Sequence, residues 1–435
     1  MKPYQVLIFI AAVMACLAAL CIALPGRVAW GDKELRWPTL AEVLGETSEF
    51  SIEDSDLSEL PEFPEYTDTV VVADTIPAVQ PKPVTVPKVA VDSTTDSRIF
   101  LNSFYASLEE ASTHTVRVLH YGDSQIEEDR MSQQIREALQ SRYGGSGAGL
   151  LPLAQTIPSR TVRQELRMNG KTVLPAQGPR RYLVYSFKRD QRADGLYGVM
   201  GQVAEMNDSL VSGSESITAI CTPLDKGPKY TTWRVFADSS IHYSTVGDTV
   251  TLNGKGKVYG LSQESEAGVI VDNIPMRGCL GTVFTKMDSA QLATFYREQN
   301  VRLIIMQFGG NAIPSNKNPG TIQAIVSGLR DQVRYLQACA PQASILFIGP
   351  SDMLTQIDGE WTTYPMVPYM DRLLRKMALQ ENIAYFSLYR WMGGAGSMMR
   401  WQEAGLAGAD GIHFYRSGAR KAGNAVAEWM LEGER

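Results

Sequence analysis

Apolar, β-branched runs alternate with amphipathic stretches along most of the second half of this 435-residue chain, and that rhythm constrains the fold more than any other feature. Residues 116–121, 268–272, 301–308, 344–348 and 383–387 read as strands. Residues 289–298, 321–340, 369–380 and 417–431 read as helices. Within 321–340, Ile322, Ile325, Leu329, Val333 and Leu336 recur at the spacing of one helical face. Strands that alternate with helices must be parallel, and a parallel sheet buries both faces. The expectation is a three-layer α/β domain. Two more helices are expected over 99–108 and 125–143, the second with Ile126, Met131, Ile135 and Leu139 on one side. The glycine-rich run 144–149 ends that unit.

The rhythm breaks over residues 156–267. Short β-rich runs recur at 182–187, 216–221, 231–236, 249–252 and 258–261, parted by turn residues such as Asn253-Gly254, and no long helical period appears. This stretch reads as a small β-sandwich inserted between two parts of one α/β domain, 98–155 and 268–435.

Residues 4–24 form an apolar run interrupted by Gln5, long enough for a bilayer-spanning helix of about 20 residues. Lys2 precedes it, which favours a cytoplasmic N-terminus. A cleaved signal peptide has a shorter apolar core, of about 7–15 residues. Residues 1–28 are therefore expected to be an uncleaved signal anchor in the inner membrane, single-pass, with the rest of the chain in the periplasm. The lipobox-like Val13-Met14-Ala15-Cys16 leaves a lipoprotein open as an alternative, and a secreted form is a third. Residues 29–97 are acidic and then proline-rich, with Pro77, Pro81, Pro83 and Pro87 spaced among valines. Such a segment is expected to be an extended spacer.

A formal net charge of −6 without a basic block argues against nucleic-acid binding. Of five cysteines, Cys16 and Cys21 lie in the apolar run. Cys221, Cys279 and Cys339 are far apart, odd in number and without ligand-like spacing, so they are expected in the core. No metal or cofactor is expected.

Three short motifs stand where an open α/β sheet places its site, at the carboxyl ends of strands. Gly122-Asp123-Ser124 follows the first strand, Gly309-Gly310-Asn311 the third, and Asp410-Gly-Ile-His413 precedes the last helix. A serine nucleophile needs a base, and the base needs an orienting group. His413 could take the Ser124 proton while Asp410 holds its ring. An oxyanion needs donors, which the Ser124 N–H, at the start of a helix, the Asn311 amide and a glycine N–H could supply. Asp123 is expected to brace the turn rather than react. His120, in a buried strand, reads as structural, and His114 and His242 as surface residues. Trp233 is expected in a core. Trp361 and Trp401, in loops after strand ends, are even candidates for stacking on sugar rings or for packing. Arg277 is expected to meet either an anionic substrate group or an acidic neighbour.

These residues resemble the SGNH, or GDSL, hydrolase family. The first block is Leu119-His-Tyr-Gly-Asp-Ser124, the third Gln307-Phe-Gly-Gly-Asn311 and the fifth Asp410-Gly-Ile-His413. A degenerate second block, Asp272-Asn-Ile-Pro-Met-Arg-Gly278-Cys279, supplies Gly278 as oxyanion donor, with Gly281 the alternative. Gln125-Ile-Glu-Glu departs from the family's usual continuation. The position of the β-rich block resembles that of the carbohydrate-module-like insertion in family members that deacetylate peptidoglycan. The resemblance implies a flavodoxin-like sheet, catalytic Ser124, Asp410 and His413, and an oxyanion hole of Ser124, Gly278 and Asn311. It implies a serine esterase removing O-acetyl groups from a cell-envelope polysaccharide, peptidoglycan among the candidates. Two alternatives stand beside it: an O-acetyltransferase using the same serine with a membrane acetyl-transfer partner, and a non-catalytic glycan-binding protein.

Overall fold

The computed structural model describes residues 27–30, 33–36, 96–152, 159–168, 171–173, 204–206, 217–223, 232–237, 239–254 and 256–433. Five parallel strands form the central sheet: β1 (Thr115–Gly122), β2 (Gly268–Pro275), β3 (Val301–Gln307), β4 (Ser344–Ile348) and β5 (Ala384–Phe386). Their order is β2-β1-β3-β4-β5. The chain starts in the middle of the sheet, moves to one edge and then crosses back, so β1 and β3 flank the point where the order reverses. In such sheets that is where a crevice opens beyond the strand ends.

Helices cover both faces. On one, helix Asn102–Leu108, α1 (Ser132–Tyr143) and α5 (Arg416–Glu432) pack Phe104, Ile135, Leu139, Val426 and Met430 against Val116, Val118, Val271, Leu303 and Ile305. The other face uses the alternate strand residues. There Tyr121 of β1 meets Tyr296 of α2 (Ser289–Glu298), hydroxyl to hydroxyl at 3.2 Å, and Phe284 edge-on. α3 (Pro319–Cys339) and α4 (Met366–Gln380) complete that layer. The α/β expectation holds, strand for strand, with ends shifted by a few residues.

One helix differs. The stretch expected as a single helix over 125–143 is a 3-10 turn, Ser124–Asp129, broken at Glu127 and Glu128, and the α-helix starts only at Ser132. Glu128 and Asp129 take left-handed φ of 62° and 63°. The cause is electrostatic. Glu127 and Asp129 are both buried and must reach cations, Arg277 and Arg136, that a continuous helix would not let them face.

Between α1 and β2 the described strands form two antiparallel sheets. One runs in the order Ile241–Val246, Thr249–Gly254, Ile217–Pro223, Val162–Met168, Lys171–Val173. In the other, Gly256–Glu264 pairs with Gly149–Leu151, Ala204–Met206 and Thr232–Ala237. Val162, Cys221, Val250 and Leu252 of the first sheet share one apolar cluster with Leu151, Val258 and Leu261 of the second. Trp233 packs against that cluster. The strand expected at 182–187 lies outside the described residues.

The β-rich stretch is fastened to the central sheet by charge. Arg117 of β1 donates to both carboxylate oxygens of Asp272 on β2, at 3.0 and 2.9 Å, and also binds Glu264. All three are buried. The Leu150 N–H adds a 2.8 Å bond to Asp272.

Near the N-terminus, Arg27–Trp30 and Lys33–Arg36 pair as a short antiparallel hairpin that straddles the end of the stretch expected as an anchor, 1–28, and the start of the one expected as a spacer. No helix among the described residues is long and apolar enough to cross a membrane, and the apolar run 4–24 lies outside them.

Candidate active site

β1 ends at Gly122, and the chain turns at Asp123. The Asp123 N–H donates to the Gln307 carbonyl at the end of β3, which sets the turn over the reversal point of the sheet. Asp123 caps the turn, its Oδ1 accepting the Gln125 N–H at 2.9 Å, so Ser124 stands at the rim with its side chain half-buried.

The loop before α5 brings the other groups. Ser124 Oγ lies 3.0 Å from His413 Nε2, and His413 Nδ1 lies 2.7 Å from Asp410 Oδ2. A carboxylate only accepts, so Nδ1 carries the ring proton and Nε2 is free to accept from the serine hydroxyl. Asp410 Oδ1 also accepts the N–H groups of Ile412 and His413, at 3.0 Å each. Burial acts to raise the Asp410 pKa, but the bonds from the His413 ring and the two backbone N–H groups outweigh it and hold the carboxyl below its ordinary value. Gln125 donates to the Ile412 carbonyl at 2.8 Å, tying the serine turn to the histidine loop.

These groups open into a cavity of about 500 Å³, also lined by Gly278 and Asn311. Gly278 has φ 69°, and a Cβ there would meet nothing within 4 Å. Gly281, at φ 84°, is packed against Phe308 and is not among the lining residues. The two glycines are thereby separated: Gly278 faces the cavity, and Gly281 serves packing. Asn311 is held by its amide, which donates to Asp123 Oδ2 at 2.9 Å and more weakly to the Cys279 carbonyl at 3.3 Å. Burial pushes the Asp123 carboxyl up to about 6, against the donors Gln125 and Asn311 and nearby His413. Asp123 is thus a brace, as its turn position suggested.

Other expectations resolve as follows. His120 is buried between Ser132 and Gln307. His114 and His242 are exposed. Arg277 donates twice to buried Glu127, at 2.6 and 2.5 Å, so the acidic neighbour is present. Trp401 is not in a loop. It lies in helix Ser397–Glu403, buried against Trp391 and Phe414, under the histidine loop. Trp361 is in strand Glu360–Thr363 and is 48% exposed. Cys221 and Cys339 are buried, but Cys279, next to Gly278 in the chain, is only half-buried. The Ser124 N–H opens a 3-10 turn rather than an α-helix, so no full helix dipole stands behind it. Arg130 and Glu127, which also line the cavity, were not picked out from the sequence; their only signal was the unusual run of charges after the serine.

No protein-family model matches the chain, and no curated protein does. Solved structures do. A structure of a peptidoglycan O-acetylesterase in action matches at a TM-score of 0.58 with 21% identity, covering 78% of this chain and 96% of that one. An acetyl xylan esterase matches at 14% identity over 38% of this chain and 80% of its own, with a TM-score of 0.26 that carries no argument. The first likeness, the strand order and the placement of the three motifs together give the chain the fold of an SGNH, or GDSL, hydrolase.

Proposed function

We propose that this protein is a serine esterase that removes O-acetyl groups from a cell-envelope polysaccharide through an acyl-enzyme. The observation that carries the reading is the chain of contacts from Ser124 Oγ to His413 Nε2 at 3.0 Å and from His413 Nδ1 to Asp410 at 2.7 Å, at the edge of an open cavity. In the proposed reaction Ser124 Oγ attacks the acetyl carbonyl while its proton passes to His413. Asp410 stabilises the imidazolium. The N–H groups of Ser124 and Gly278 and the Asn311 amide are the proposed oxyanion donors. His413 then protonates the departing sugar oxygen, which leaves acetate esterified to Ser124. Water, deprotonated by the same ring, releases it.

Peptidoglycan is the envelope polymer we favour, supported by the fold shared with a peptidoglycan O-acetylesterase. That likeness covers 78% of this chain, and the two α/β parts on either side of the β-rich stretch make up roughly half of it. A glycan-cradling role for this stretch, as an inserted domain, is part of the proposal. So is a periplasmic location behind a signal anchor, which rests on the apolar run 4–24.

The test is turnover of 4-nitrophenyl acetate by the full-length chain. Ser124→Ala and His413→Ala should each abolish it, and full activity in both variants would sink the reading. With an acetylated glycan and an added acceptor sugar, free acetate is the expected product. Acetyl appearing on the acceptor instead would reassign the protein to transfer.

A further inference from the structure

One wall of the cavity carries charge that the reaction above does not use. The segment after Ser124 holds three successive carboxylates, Glu127, Glu128 and Asp129, and four guanidinium groups converge on them. Arg277 takes Glu127 with two bonds. Arg160 takes Glu128 with two bonds at 3.1 and 2.9 Å. Arg136 takes Asp129 at 2.5 and 3.1 Å. The fourth, Arg130, is left with the Glu127 carbonyl at 2.9 Å and a long 3.3 Å contact to the Glu128 oxygen that Arg160 does not use. Its side chain is only 11% exposed, and it lines the same cavity as Ser124, beside Arg277. Burial, with Arg160 and Arg277 nearby, outweighs the favourable charges of Glu128 and Glu127, and its pKa falls below the ordinary guanidinium value. A guanidinium nonetheless stays charged at neutral pH. The other acidic groups near Ser124 are engaged elsewhere: Asp123 accepts from Gln125 and Asn311, and Asp410 from His413.

A buried cation without a full carboxylate partner is costly unless something anionic completes it. Around a nucleophile, the candidate is the substrate. We infer that Arg130, with Arg277 beside it, forms a subsite for a carboxylate carried by the ester substrate. This rests on the esterase reading and narrows it to acetylated glycans that bear an acidic sugar or substituent close to the ester. Arg130 is the specificity-determining residue of the pair because its one carboxylate contact is long, whereas Arg277 already holds Glu127 with two bonds.

Matched aryl acetates test this: 3- and 4-acetoxybenzoate, each against its methyl ester, with the full-length protein at low salt. The quantity read is the change in kcat/KM caused by Arg130→Gln, compared between the charged ester and its neutral partner, so that intrinsic reactivity cancels. For at least one isomer, Arg130→Gln should lower kcat/KM for the charged ester about tenfold more than for the neutral one. Arg130→Lys, which keeps a cation, should recover most of that difference, and added salt should shrink it in the wild type. Equal losses on charged and neutral esters for both isomers would overturn the subsite while leaving the esterase reading intact. Absence of turnover on every ester by the wild type would overturn the esterase reading, and the subsite with it.

Discussion

Two serine–histidine relays flank the same strand end, and they differ in what completes them. At the rim, Ser124 meets His413, and His413 meets the carboxylate of Asp410. In the floor, Ser132 at the start of α1 lies 2.8 Å from His120 Nδ1, and His120 Nε2 lies 3.1 Å from Gln307 Oε1. Gln307 Oε1 only accepts, so His120 Nε2 carries the ring proton and Ser132, which accepts from Asn273 at 2.7 Å, donates its own to Nδ1. The two chains of contacts are alike in distances, with the ring nitrogens exchanged: Nε2 faces the serine at the rim and Nδ1 in the floor. The floor relay, however, is buried and ends on a neutral amide, which cannot stabilise an imidazolium. The rim relay ends on a carboxylate held charged by three donors and opens onto a cavity. A serine beside a histidine is therefore not a nucleophile by geometry alone. The third group and the access to substrate decide.

The sharpest way to break this comparison is to give the rim relay the composition of the floor. Asp410→Asn leaves an amide against His413 and no longer enforces the tautomer that accepts the Ser124 proton. We expect kcat for 4-nitrophenyl acetate to fall about 10⁴-fold, as loss of the orienting carboxylate does in other serine hydrolases. A fall of less than tenfold would show that His413 works without Asp410 and that the contrast drawn here is not the operative one.

A smaller effect is expected at Asn311. Its amide is anchored by the Asp123 carboxylate and only loosely engaged by the Cys279 carbonyl, so the second amide proton is the one available to an oxyanion. Asn311→Ala should lower kcat about 10²–10³-fold, the usual loss for one oxyanion donor. A change confined to KM would make Asn311 a ground-state binding group.

The rim relay was legible in the sequence because its members sit in short motifs at strand ends, and the sheet was legible because its apolar runs carry a strong period. The floor relay was not. His120 could be read as structural from its strand, but nothing in the spacing joins it to Ser132 and Gln307. Likewise, Glu127 and Arg277 are 150 positions apart, and their pairing bends a segment whose apolar residues alone suggested an unbroken helix. The sequence registers burial of apolar groups well. It registers poorly the burial of charges, whose partners arrive from distant strands.

The last test sets the floor histidine against the Asp123 brace by pH. Burial, the dominant effect, pulls His120 down to about 4, with Arg136 adding and the Gln307 bond opposing. In the unfolded chain a histidine titrates near 6.5. The stability His120 gains by staying neutral is thus fully present above pH 6.5 and is lost as the pH falls towards 4, about 3 kcal/mol in all. Asp123 acts in the opposite sense. Burial raises its carboxyl to about 6, so its contribution grows as the pH falls from 6 towards its unfolded value near 4, again by about 3 kcal/mol. The two nearly offset each other between pH 6 and 4. Chemical denaturation of the wild type, His120→Gln and Asp123→Asn at pH 7 and pH 4.5 should reveal this. On acidification, His120→Gln should lose less stability than the wild type, and Asp123→Asn should lose more. Parallel losses in all three proteins would mean that His120 already has access to a proton in the folded state, and the floor would then be less sealed than its contacts imply.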